Sequence, residues 1–181
     1  MKSEIKEEIQ NYIRYINGHD LEDQCEEYIQ MLFFLSQMML EKDLELDERV
    51  IQSMAQKLVE QIGQTLNTHF GSYDKGMCSE LGMLTFSIHE IMGRTGELKE
   101  TSELLNRFLL DQACQKAELF QQRKLSFDSY DMLGGIAGVV YYLLDCEEIV
   151  NQPEGKLKLR ELIRFLIYLS GDYSYWGKHI L

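Results

Sequence analysis

Ser129-Tyr130-Asp131-Met132-Leu133-Gly134-Gly135-Ile136-Ala137-Gly138-Val139-Val140-Tyr141-Tyr142-Leu143-Leu144 places three glycines within five residues and then runs apolar. The apolar run reads as a buried helix, Asp131 to Val150, with the glycines at its start. Inside a helix each glycine costs about 1 kcal/mol against alanine, so the entry gives up roughly 2–3 kcal/mol if all three are helical. Something must offset that loss. Missing side chains let another backbone, or a ligand, come close, and close helix packing is the ordinary reason. Asp131 stands where an N-cap would, its carboxylate able to accept a backbone N–H of the first turn. Capping is the commonest role of such an Asp. The functional alternative is an anionic group held by a rigid helix end at the mouth of a cavity.

Period-3.6 patterning extends outward from this segment. Upstream, Met77 to Met92 is apolar on more than one face, with Gly93 and Gly96 closing it. The stretch between them, Thr101 to Phe120, carries one stripe: Leu104, Leu105, Phe108, Leu109, Ala113, Ala117. Downstream, Pro153 and Gly155 break the chain before a last amphipathic helix, Leu157 to Leu169. Three more stripes lie towards the N-terminus: Ile5, Ile9, Tyr12, Ile13, Ile16; then Tyr28, Ile29, Leu32, Phe33, Leu35, Met39; then Val50, Ile51, Met54, Leu58, Ile62, Leu66. Gly71 to Gly76 reads as a loop, and Gly171 to Leu181 has no clear period. The two buried helices align on Gly82 and Gly138, 56 residues apart. Amphipathic and nearly all-apolar helices thus alternate, which suggests a stacked or ring-shaped α-α array.

Composition agrees. The chain has 181 residues, 45% of them hydrophobic, with 1 Pro and 13 Gly, which favours an all-α domain spanning 1–181. A formal net charge of −12 argues against nucleic acid and anionic membrane partners, both of which need Lys and Arg. No apolar stretch is long enough to span a bilayer. Cys25, Cys78, Cys114 and Cys146 are scattered singly, and we expect them to be free thiols buried as small apolar residues of a cytoplasmic protein.

The Tyr130-to-Leu144 segment resembles the helix-start motif of the lanthionine synthetase C-like (lantibiotic cyclase) family. Tyr130, Asp131, Gly135, Ala137, Gly138, Leu143 and Leu144 match it. Lys75-Gly76-Met77-Cys78-Ser79-Glu80-Leu81-Gly82 resembles the family's preceding repeat, with Ser79 where a glycine is usual. The resemblance implies an α-α toroid with inner helices lining a central cavity. It further implies a zinc enzyme that adds peptide Cys thiols to dehydrated Ser or Thr, forming thioether rings on a precursor peptide, with modification enzymes as further partners. Asp131 takes the role of the family's active-site acid near the metal; Tyr130, Gly135 and Gly138 carry over as motif positions. The family holds its zinc by two Cys and one His in Trp-Cys-x-Gly-like and Cys-His-Gly motifs, and neither motif occurs here. The expectation is therefore a partial toroid, the N-terminal portion of the family fold, holding no zinc of its own, inactive alone and prone to self-association. A stand-alone helical module binding a peptide or protein is the alternative, and an unrelated α-α toroid enzyme acting on glycans is a third.

Other residues add no site. His69, His89 and Cys78 lack ligand-pair spacing, and His89 on an apolar helix reads as a packing residue. Met31, Met38 and Met39 read as core filler. Glu22, Asp23, Glu26 and Glu27 read as a solvated face. Gly71 to Gly76 lacks the Gly-Lys-Ser/Thr ending of a phosphate loop.

Overall fold

The computed structural model describes residues 2–18, 25–39, 48–69, 76–121 and 131–170. Among them are eight α-helices, one 3-10 turn and no strand. The helices are α1 (Lys2–Gly18), α2 (Cys25–Met38), α3 (Glu48–His69), α4 (Glu80–Thr95), α5 (Lys99–Gln121), α6 (Ile136–Leu143), α7 (Glu147–Val150) and α8 (Pro153–Ser170); the 3-10 turn is Gly76–Cys78. The chain divides into two compact units, Met1–Gly71 with Phe86–Lys99, and Ser72–Thr85 with Glu100–Leu181. The loop of residues 71–75 and the aperiodic tail of residues 171–181 lie outside the described residues.

In the first unit, α2 supplies most of the core. Tyr28, Ile29, Leu32, Leu35 and Met39 recur at helical spacing and are buried, and α2 packs on α3, where Met54, Ala55 and Leu58 are buried. The α1 stripe is narrower than its sequence suggests. Ile13 and Ile16 are buried, whereas Ile5 and Tyr12 are exposed; the Tyr12 ring still meets Phe34 edge-on, with centroids 4.7 Å apart. Met31 and Met39 are buried. Gly93 does not close α4 but lies within it. The helix stops at Thr95, where Gly96 takes φ +72° and donates its N–H to the Met92 carbonyl at 2.8 Å, a left-handed C-terminal cap that glycine forms without a Cβ clash.

In the second unit, Leu105, Leu109, Leu110, Ala113 and Ala117 of α5 are buried, as are Ile136, Val139, Val140 and Leu143 of α6 and Leu159, Leu162, Phe165 and Leu169 of α8. α8 packs on α6 and α7, and α6 packs on the 3-10 turn. The α5 stripe holds except for Leu104 and Phe108, which are exposed.

Two expectations are corrected here. Asp131 to Val150 is not one helix. Gly135 is extended at φ −106°, ψ −174°, so α6 begins only at Ile136; the chain turns again after Leu143, and Cys146, at ψ 103°, leads into α7. Propensity explains the first break, because Gly134 and Gly135 stay outside the helix where they would cost most. Charge favours the second, because Glu147 and Glu148 fall in the first turn of α7, at the positive end of its dipole. Nor do Pro153 and Gly155 break the chain. Pro153 is the first residue of α8, a position whose N–H has no helical acceptor in any case.

Candidate functional site

Asp131 Oδ1 accepts the backbone N–H of Leu133 at 2.6 Å and of Gly134 at 2.7 Å. It caps the Met132–Gly134 turn that precedes α6, not the first turn of α6, whose N-cap Gly135 makes no side-chain cap bond. An Asx turn of this kind fixes the carboxylate on the backbone it folds. One carboxylate oxygen is thereby committed. Oδ2 has no hydrogen-bond partner among the described residues, and Asp131 is half-buried. Tyr130 lies outside the described residues. Met132 and Leu133 stand out beside Asp131, Leu133 being 70% exposed.

The 3-10 turn before α4 backs the Asp131 turn. Cys78 donates its N–H to the Leu133 carbonyl at 3.2 Å. Gly76, at φ +55°, lies so close to the other backbone that a Cβ would fall 2.6 Å from the Gly134 carbonyl carbon and the Gly135 oxygen. Only glycine fits there, on both conformational and steric grounds.

The two helix starts are built alike. Gly82 and Gly138 are each the third residue of their helix. In each case the carbonyl six residues earlier folds over the glycine: Gly76 O would lie 2.5 Å from a Cβ at Gly82, and Met132 O 1.8 Å from one at Gly138. Gly155, third in α8, meets Ile149 O at 2.3 Å in the same way. The backbone that approaches these glycines is thus the helix's own entering chain. In this register Ser79 and Gly135 are equivalent N-caps. Ser79 Oγ accepts the Gly82 N–H at 3.0 Å and donates to the Gly76 carbonyl at 2.6 Å. The serine that departs from the motif therefore caps α4, a position where serine outranks glycine.

Behind the turns runs a buried polar chain. The Tyr142 hydroxyl donates to Asn106 Oδ1 at 2.8 Å, with the Thr85 carbonyl a longer second acceptor at 3.4 Å. Asn106 Nδ2 donates to Glu148 Oε1, and the Cys146 thiol donates to the Tyr142 carbonyl at 3.7 Å. Burial pushes the Tyr142 hydroxyl upward in pKa. Burial, reinforced by Glu148, pushes the Cys146 thiol up to about 12. Burial also raises the Cys114 thiol to about 11.

The profile of the family described as Lanthionine synthetase C-like protein matches residues 31–179. The chain belongs to this family. Neither a curated protein nor a solved structure matches it. The family fold is an α-α toroid, with which the all-helical described residues are consistent. The Asp131 turn lies within the matched residues.

The expected set of buried thiols is corrected. Cys146 is buried, Cys114 is half-buried and Cys78 is exposed; the Cys25 side chain lies outside the described residues. Cys78 sits in a 3-10 turn whose packing is carried by backbone, so its side chain has no core to enter. His89 is half-buried on α4, and the side chain of His69 is not among those described. The zinc that the family implies needs thiolates and an imidazole. The described residues of the second unit include no histidine, and Cys114 and Cys146 are held as thiols by their surroundings. Sequence reasoning named Gly76 and Ser79 as motif positions but gave them no role, and it did not single out Asn106 or Tyr142. The six-residue spacings Gly76 to Gly82 and Met132 to Gly138, repeated 56 residues apart, were the available signal for the first two.

Proposed function

We propose that this chain is a lanthionine-cyclase-like protein that receives a peptide bearing a Cys thiol and a dehydrated Ser or Thr, with Asp131 Oδ2 handling the proton. In such an addition the S–H bond breaks and an S–Cβ bond forms. The electron pair of the Cα=Cβ bond moves onto Cα as an enolate, and a water molecule held at Asp131 Oδ2 gives its proton to Cα, the hydroxide left behind being neutralised by the proton the thiol released. The observation that carries the reading is the Asp131 turn: Oδ1 is tied to two backbone donors, while Oδ2 is left for a substrate. Rigid placement of the proton-handling atom is what general acid–base catalysis requires. Zinc, where the family binds it, supplies a thiolate at neutral pH. We assign no such donor set to this chain, and so expect no ring closure from it alone near pH 7.

Raising the pH bypasses the metal, since a free peptide thiol has a pKa of about 8.5 and is mostly thiolate at pH 9. A dehydrated, Cys-containing peptide is incubated with the chain at pH 7 and at pH 9, and unreacted thiol is counted by alkylation and mass spectrometry. Ring closure should exceed the buffer rate at pH 9 and fall back to it in Asp131→Asn. Equal rates with and without the chain at pH 9 would end the cyclase reading, and binding of the peptide without acceleration would leave a non-catalytic peptide-binding module.

A further inference from the structure

A run of contacts links the Ser79 side chain to the Asp131 carboxylate, with only backbone between the two. Ser79 holds the Gly76 carbonyl twice, through its Oγ at 2.6 Å and its backbone N–H at 3.1 Å. Gly76 lies flat against Gly134 and Gly135, where a Cβ would come within 2.6 Å. The Cys78 N–H holds the Leu133 carbonyl at 3.2 Å. Leu133 and Gly134 in turn donate the two N–H groups that seat Asp131 Oδ1. The start of one repeat is thus the support on which the carboxylate of the next is mounted. An Asx turn that is part-exposed and without such backing is free to rotate, because its two hydrogen bonds compete with water. Positioning groups of this kind act by restricting a reacting group to its productive geometry.

We infer that Ser79 and Gly76 are positioning residues for Asp131, a role that rests on the assignment of Asp131 to the proton in the reaction above. Ser79 adds to its backbone N–H a hydroxyl bond to the Gly76 carbonyl that a glycine in its place would lack. Gly76 supplies the flat backbone surface against which the Asp131 turn is pressed.

The test reads Asp131 directly and does not depend on turnover. In the 181-residue chain, an amide proton bonded to a carboxylate shifts when that carboxylate is protonated, so the Leu133 and Gly134 amide shifts are followed by NMR through an acid titration. Asp131→Asn should abolish the titration shift at both amides. Ser79→Ala should reduce it by half or more, Ser79→Thr should restore it, and Gly76→Ala should abolish it, while amides of α8 keep their positions in every variant. If Gly76→Ala does not fold, the Ser79→Ala and Ser79→Thr pair carries the test. A full titration shift in Ser79→Ala would overturn the inference. Loss of the shift in Ser79→Ala with ring closure at pH 9 unchanged would support the support-and-turn geometry and instead remove Asp131 from the chemistry.

Discussion

A methyl group at Gly138 would come within 1.8 Å of the Met132 carbonyl oxygen, and no flexible side chain is there to yield. At Gly93, inside α4 and exposed, nothing lies within 4 Å of the same addition. The two glycines therefore predict opposite outcomes for one substitution. Gly138→Ala should destabilise the fold by about 3 kcal/mol or more, because the entering backbone must move. Gly93→Ala should stabilise it by about 1 kcal/mol, because the helix loses its least favourable residue. Urea denaturation of both variants checks this, and a Gly138→Ala protein as stable as the parent would mean that the entering turn does not fold over α6. The glycine cluster was legible in the sequence as a place of close approach. What approached was not legible, since another helix, a ligand and the chain itself all ask for the same missing Cβ. Asp131 shows the same limit. Its capping chemistry could be read from its type and place, but the backbone it caps depends on whether Gly134 and Gly135 are helical, and an apolar run does not mark that.

Helices with wide apolar stripes, such as α2, were readable because period 3.6 determines which side chains share a face. The division of Asp131 to Val150 into a turn, α6 and α7 was not, because an apolar run carries no period to mark where it stops. Its interior also holds polar groups that hydropathy hides. Tyr142, Asn106, Glu148 and Cys146 join α5, α6 and α7 through hydrogen bonds, and two of these groups carry pKa values raised by burial. Burial pushes the Cys146 thiol up to about 12 and the Cys114 thiol up to about 11, from an ordinary value of 9.0. An acid whose folded pKa is raised leaves stability unaffected below the unfolded pKa and removes it as pH climbs from there to the folded value, since the unfolded chain sheds its proton first. Stability should therefore fall between pH 9 and pH 11. Lysine deprotonation acts in the same range, so the decisive measurement compares variants. The slope of urea midpoint against pH should be shallower in Cys114→Ala, whose side chain is only half-buried and whose removal leaves little cavity. An identical slope would mean that the Cys114 thiol titrates alike in both states.

Across the whole molecule the charge is −12, yet α5 turns an apolar stripe outward. Leu104 is 64% exposed, Phe108 40% and Leu119 49%, and at 3.6 residues per turn the three fall within about 60° of one another on the helix, with exposed Gln115 in the same sector between Phe108 and Leu119. Single exposed apolar residues are ordinary on a protein surface, but an aligned stripe is a surface that another copy can cover. A two-fold arrangement would set stripe on stripe and bury the same side chains from both partners. Repulsion between two acidic copies opposes this, with a reach of about 8 Å at physiological salt and 3 Å at 1 M. The two forces respond to salt in opposite senses, which makes the driving force measurable. Light scattering at micromolar concentration should show self-association in 0.15 M salt that strengthens in 1 M salt, because screening removes the repulsion and leaves apolar burial intact. Association driven by ion pairs would weaken instead. Leu104→Glu combined with Phe108→Glu should give a monomer at both salt concentrations, with the helix content unchanged because neither side chain is in the core. A parent chain that is monomeric in 1 M salt would reduce the α5 stripe to ordinary surface.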